Sequence, residues 1–181
     1  MGVQKYFIAI VVPQPIQNEL MAFKELVKEK YNSKGALRSP AHITLHMPFE
    51  WKEEKEDVLI DTLSQFSFKE NFIVELKNFS NFGQRVIFVD VVKNDILVQL
   101  QNELVNHVKN NLRLFNQSND MRGFHPHVTI AFRDLKKEKF IQAFDYFKTQ
   151  TYNASFAATN ICLLKHTGKE WLVHKEIYFT N

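Results

Sequence analysis

The order of elements constrains this chain more than any single residue does. A strand, an amphipathic helix, a loop, a short histidine-bearing strand and a second helix follow one another in residues 6–66, and the same order returns in residues 86–148. Tyr6–Val12 is rich in β-branched residues and is stopped by Pro13 and Pro15. Ile16–Tyr31 has helical spacing, with Ile16, Leu20, Phe23, Leu26 and Val27 near one face. After a loop from Asn32 to Pro40, His42–Phe49 reads as a short strand. Glu54–Phe66 reads as a helix with Val58, Leu59 and Leu63 inward. In the second half, Arg85–Val92 is a strand and Asp95–Leu114 a helix capped by Asn94. His127–Phe132 is then a strand and Lys136–Lys148 a helix. Phe72–Phe79 forms a hairpin with Arg85–Val92 around Gly83, and Ala154–Lys165 forms a final hairpin with Trp171–Phe179. Because several strands are hairpin partners, the pattern predicts an α+β fold with mostly antiparallel pairing, not a doubly wound parallel sheet. The 181 residues suit one domain over residues 1–181.

The two short strands share a pattern: His42-Ile43-Thr44-Leu45 and His127-Val128-Thr129-Ile130. With this composition, a shuffled chain would hold about 0.05 matches to His-x-Thr-[Leu/Ile], so two at equivalent places in a duplicated layout carry information. In a strand, residues i and i+2 share a face. His42 therefore projects with Thr44, and His127 with Thr129, while Ile43, Leu45, Val128 and Ile130 turn to a core. If the duplication sets the two strands across a cleft, two imidazoles and two hydroxyls converge. One neutral imidazole can remove a proton from an attacking hydroxyl or water, and a protonated one can deliver a proton to a leaving oxygen. Phosphodiester cleavage needs both acts, with donors to the non-bridging oxygens.

The segments Pro40–Leu45 and Phe124–Phe132 resemble the two motif regions of the 2H phosphoesterase superfamily, which includes 2′-5′ RNA ligase-like proteins and RNA 2′,3′-cyclic phosphodiesterases. The resemblance extends over most of the chain as element order. It implies a bilobal, pseudo-twofold arrangement of two mostly antiparallel sheets with flanking helices, the motifs lining a central cleft. It implies His42 and His127 as the catalytic acid/base pair and Thr44 and Thr129 as the phosphate-binding residues. The expected substrate is a 2′,3′-cyclic phosphate on an RNA end or nucleotide, or a related 2′-5′ phosphodiester, with no cofactor and no metal. Arg133 stands one place later than the phosphate-contacting arginine that follows the second motif in some members.

Other features have weaker readings. His46 shares the parity of His42, and His125 that of His127, so four imidazoles could line one region and hold a transition metal, although no carboxylates or thiolates cluster with them. A non-catalytic nucleotide or RNA binder of the same fold is a further alternative. Arg38 and Arg122 precede the two motifs and could meet a phosphate; Lys165 and His166, before the last turn, could reach the cleft, and Phe82 could stack on a base. His107 and His174 read as structural. A net charge of +3 permits an anionic ligand without suggesting a nucleic-acid coat, and DNA is not expected as a partner. The one cysteine, Cys162, lies in an apolar run and reads as a buried thiol, in keeping with a reducing cytoplasm. No stretch is apolar for the roughly 20 residues of a membrane span. No Gly-rich loop supports an ATP- or dinucleotide-dependent mechanism, and a monomer is expected.

Overall fold

The computed structural model describes residues 2–116 and 123–180. Within them lie β1 (Val3–Val11), α1 (Ile16–Tyr31), β2 (His42–Lys52), α2 (Glu56–Ser64), β3 (Phe72–Phe82), β4 (Val86–Val91), α3 (Asp95–Leu112), β5 (His127–Ala131), α4 (Lys137–Phe147), β6 (Asn153–Ala158), β7 (Asn160–His166) and β8 (Trp171–Tyr178). The strands form one sheet in the order β6-β3-β4-β5-β2-β1-β7-β8. Every neighbouring pair is antiparallel.

The duplication seen in the sequence is built into this order. From the β2/β5 seam outward, one half runs β2-β1-β7-β8 and the other β5-β4-β3-β6. The units β1-α1-β2-α2 and β4-α3-β5-α4 occupy matching places. The expectation of two sheets needs correction, because β2 and β5 join the halves through Ile43 opposite Val128. Both side chains are fully buried in a core that spans the two halves, so separating the sheets would expose it.

Sequence explains most of the boundaries. α1 buries Leu20, Lys24 and Val27, spaced four and three apart, and ends at Asn32 in the left-handed conformation. Asn94 caps α3 by accepting from the Leu97 N–H at 3.0 Å. α2 starts later than expected because Glu53–Lys55 forms a tight 3-10 turn; Leu59 and Leu63 point inward but Val58 is exposed. Gly83 takes a positive φ of 56° in the β3–β4 turn, where a side chain would be strained.

The strand expected over Ala154–Lys165 proves to be two. Asn153–Ala158 pairs with β3 at one edge, and Asn160–His166 pairs with β1 in the other half. The alternation of buried and exposed residues in β6 gives way to an unbroken buried run over residues 161–164 in β7. That change distinguishes a half-covered edge strand from an interior one.

The helices cover one face with the large core. The other face carries a small cluster of Phe7, Ala9, Cys162 and Leu164, flanked by Val11 and Trp171. Among the described residues, no helix is long and apolar enough to cross a membrane.

Candidate active site

The Ile43–Val128 pair fixes what lies on the open face. With those two side chains turned into the core, His42, Thr44, His127 and Thr129 project to the other side, and all four are half-buried. In the antiparallel register set by that pair, His42 stands across from Thr129 and Thr44 from His127. The histidines occupy one diagonal and the threonines the other. Such diagonals are roughly 7–8 Å long, within reach of both imidazoles and a group held between them.

Each motif also ends in the same irregularity. Ala9 pairs with Thr44 but Ile8 with His46, so Leu45 is an extra residue in β2. Phe88 pairs with Thr129 but Ile87 with Ala131, so Ile130 is the extra residue in β5. Bulges of this kind re-aim the strand just past a site.

Matching hydrogen bonds orient the two imidazoles. His42 Nδ1 lies 2.7 Å from the Pro40 carbonyl oxygen, and His127 Nδ1 lies 2.7 Å from the His125 carbonyl oxygen, in each case two residues back. A carbonyl only accepts, so each Nδ1 carries the proton and Nε2 becomes the nitrogen for proton exchange. Phe7 packs on the His42 ring at 4.8 Å. Phe88 and Phe82 pack on His127 at 5.0 and 4.9 Å. Burial pushes His42 down to about 4, and the positive charges of Lys24 and His127 add to the effect against the opposing Pro40 hydrogen bond. His42 is therefore neutral near pH 7, and its ring senses His127.

Helix α1 holds the loop that delivers His42. Gln17 Nε2 donates to the carbonyl oxygens of Val12 at 2.9 Å and Ala41 at 3.2 Å, while its Oε1 accepts from the Ala41 N–H at 2.6 Å. Lys24 Nζ donates to the Ser39 carbonyl at 3.0 Å from a buried position. From the exit of β5, Asp134 accepts from Ser33 Oγ, Lys34 N–H and Gly35 N–H at 2.7–2.8 Å. The His127 strand thus pins the loop before His42.

Several sequence readings change here. His46 leaves the site: the extra residue at Leu45 reverses its parity, and it is buried among core residues opposite Ile8. Its Nδ1 donates to the Met47 carbonyl, and its Nε2 is buried without a hydrogen-bond partner. Four histidines therefore do not converge. Among the described residues, no group of three or more His, Cys, Asp or Glu side chains is placed to hold a metal. His125 does stay beside His127, its Nε2 3.2 Å from Asp90. Arg38 ends a 3-10 turn before His42, and Arg133 lies over the exposed Phe132 ring. Arg122 lies outside the described residues. Lys165 and His174 both meet Glu56, on the helix-covered side, and His107 bonds the Thr62 carbonyl.

Phe7, Phe88, Gln17 and Lys24 are not singled out by the sequence. Lys24 has a signal: a charge four residues after Leu20 and three before Val27 falls on the buried stripe of α1. The phenylalanines have none, since 17 Phe leave no way to tell these from the rest.

Known proteins share this geometry's framework. Residues 12–170 match the family model of the 2′-5′ RNA ligase superfamily. The chain is 31% identical over 149 residues to the Geobacillus kaustophilus protein named "Putative phosphoesterase GK0864", covering 81% of this chain and 79% of that one. Its fold is similar to that of E. coli LigT complexed with 3′-AMP, with a TM-score of 0.73 at 22% identity, covering 99% and 100% of the two chains. It is also similar to TT0787 of Thermus thermophilus, with a TM-score of 0.61 at 18% identity and 97% of each chain covered.

Proposed function

The chain belongs to the 2′-5′ RNA ligase superfamily, and from that premise we propose that it is a phosphodiesterase opening 2′,3′-cyclic phosphates on RNA ends or nucleotides, or cleaving related 2′-5′ phosphodiesters. The observation that carries this reading is the matched pair of imidazoles, each anchored through Nδ1 to the carbonyl two residues back, on one face of one seam. A pure binder has no need of two proton-transfer groups held alike. The nucleotide in the related LigT fold is in keeping with a nucleotide substrate.

The roles follow from the environments. His42, kept neutral by burial, takes a proton from the attacking water through Nε2 as the P–O bond forms. His127, in its protonated form, delivers a proton to the ribose oxygen as the second P–O bond breaks. The Thr44 and Thr129 hydroxyls, on the other diagonal, donate to the non-bridging oxygens where negative charge grows. These steps use only side chains of the seam.

The test is direct. The protein is incubated with 2′,3′-cyclic nucleotides, 2′-5′ dinucleotides and an RNA ending in a cyclic phosphate, chelator present, and the phosphate position in the product is read by phosphorus NMR. Turnover that survives the chelator and disappears in His42→Ala and His127→Ala supports the proposal. Full activity in the double variant, or stoichiometric binding without product, overturns it.

A further inference from the structure

A cavity of about 340 Å³ lies beside the anchor of His42. Arg38, Ser39 and Pro40 form one wall, and Glu170, Trp171 and Val173 the other. Pro40 is the residue whose carbonyl orients His42, so the cavity shares a wall with the loop that delivers His42 to the seam. The indole of Trp171 is tied to the same place by rings. It meets Phe7 edge-on at 4.7 Å, and Phe7 meets His42 at 4.8 Å. His166 also packs against it at 4.8 Å, in a turn where the Gly168 N–H reaches His166 Nδ1.

These observations point to one kind of ligand. The indole is half-buried and contacts two rings, Phe7 and His166, that hold it in place as a platform. Val173, two residues along β8 and so on the same face as Trp171, is apolar and exposed beside it. Arg38 supplies donors and Glu170 acceptors to the same cavity. The volume suits a small molecule with a planar ring. A purine presents a large π-face for stacking, with acceptors and donors on its edge.

We propose that Trp171 is the floor of a nucleobase subsite, in which the base next to the reacting phosphate stacks on the indole between Arg38 and Glu170. The subsite rests on the reading that a phosphodiester occupies the His42–His127 seam. It adds that the enzyme reads the nucleoside, through a wall contributed by the β7–β8 hairpin.

The chain has two tryptophans, and Trp51 lies elsewhere, its Nε1–H bonded to the Lys55 carbonyl. In Trp51→Phe, adenosine 3′-monophosphate should quench the fluorescence of Trp171, and ribose 5-phosphate should not. Fluorotryptophan NMR of the unmutated chain gives the same reading from two separate signals. Trp171→Ala should weaken nucleotide binding roughly ten- to hundredfold more than it weakens ribose 5-phosphate binding, and Trp171→Phe should recover much of the loss. Glu170→Gln should alter the preference between adenosine and guanosine monophosphates. Equal binding of nucleotide and ribose phosphate, or an unmoved Trp171 signal, overturns the subsite. In His42→Ala, base-dependent quenching should persist without turnover. Quenching by nucleotide in a wild-type chain that turns nothing over would reject the hydrolase and keep the subsite.

Discussion

Lys24 donates its ammonium to the carbonyl oxygen of Ser39 at 3.0 Å, three residues before His42, with only 2% of its surface exposed. Burial pushes its pKa down from 10.5 to about 7, and its charge in turn holds His42 down. A buried ammonium is costly, and replacing it with an apolar residue of similar volume is often neutral or stabilising. Lys24→Met should therefore fold at least as stably at pH 6, where Lys24 is charged, while raising the pKa of His42. Between about 7 and 10.5 the unfolded chain binds a proton at Lys24 that the folded chain does not, so wild-type stability should rise with pH across that window and the variant should lack the rise. Urea titrations at several pH values and an NMR titration of the His42 ring check both parts. An unmoved His42 pKa would remove Lys24 from the electrostatics of the site.

The low pKa of His42 has its own signature. With the base neutral down to about 4, the acid limb of kcat/KM should lie well below the ordinary imidazole value of 6.5. The sign for stability is the same: as pH falls from 6.5 toward 4, the unfolded chain takes a proton that folded His42 refuses, so stability declines through that range. His46, whose pKa burial also lowers, adds to the decline. A His42→Gln variant should show a flatter profile. An acid limb at 6.5 would mean that His42 is better solvated than its surroundings indicate.

How much of this is legible from sequence depends on the kind of signal. The His-x-Thr repeat and strand parity point to the four seam residues, because alternation needs only local geometry. α1 matches its expected range in full, since its apolar stripe and the break after Tyr31 agree. His46 is misread for the complementary reason: parity holds only until a bulge, and nothing in Leu45 marks it as the extra residue. The merging of two expected sheets into one rests on a single cross-seam pair, a long-range contact with no local trace. The division at Thr159 is visible in principle, as a change from alternating to continuous apolar residues.

The motif variants should rank by role. His42→Ala and His127→Ala should each lower turnover by roughly 10²–10⁴. Thr44→Val and Thr129→Val should cost about tenfold to hundredfold, the scale of a hydrogen bond to a charged oxygen. Because the two histidines act in one step, the double variant should be little worse than either single one. Steady-state kinetics on one cyclic nucleotide, with circular dichroism to confirm folding, decides it. Threonine variants as damaged as the histidine variants would reverse the assignment.

Cys162 packs with Phe7, Ala9 and Leu164 beside the seam, and burial pushes its thiol up to about 11. The thiolate is the reactive form, so the native chain should resist iodoacetamide at pH 8 and react fully in urea. Peptide mass spectrometry after brief exposure gives the extent. Fast alkylation of the folded chain would show that this small cluster opens, and with it the wall behind His42.

Asp134 is the tie between the halves most exposed to acid. Its carboxylate accepts from Ser33, Lys34 and Gly35, and although burial works against ionisation, these three donors hold the pKa below its ordinary value. Asp134→Ala should destabilise the chain by about 1–3 kcal/mol at neutral pH, reduced by the exposure of the site to water. A lowered carboxyl pKa contributes stability above the ordinary carboxylate range and loses it as pH falls through the folded value. The gap between wild type and variant should therefore close toward pH 3. Gly35→Ala tests the same contact from the other side, because a Cβ there would stand 2.8 Å from the Asp134 carboxylate oxygen and push the loop away. Both variants should lower turnover by loosening the loop that carries Pro40, the carbonyl that orients His42. A wild-type-to-Asp134→Ala gap that is independent of pH would show that the carboxylate contributes by packing and not by its charge.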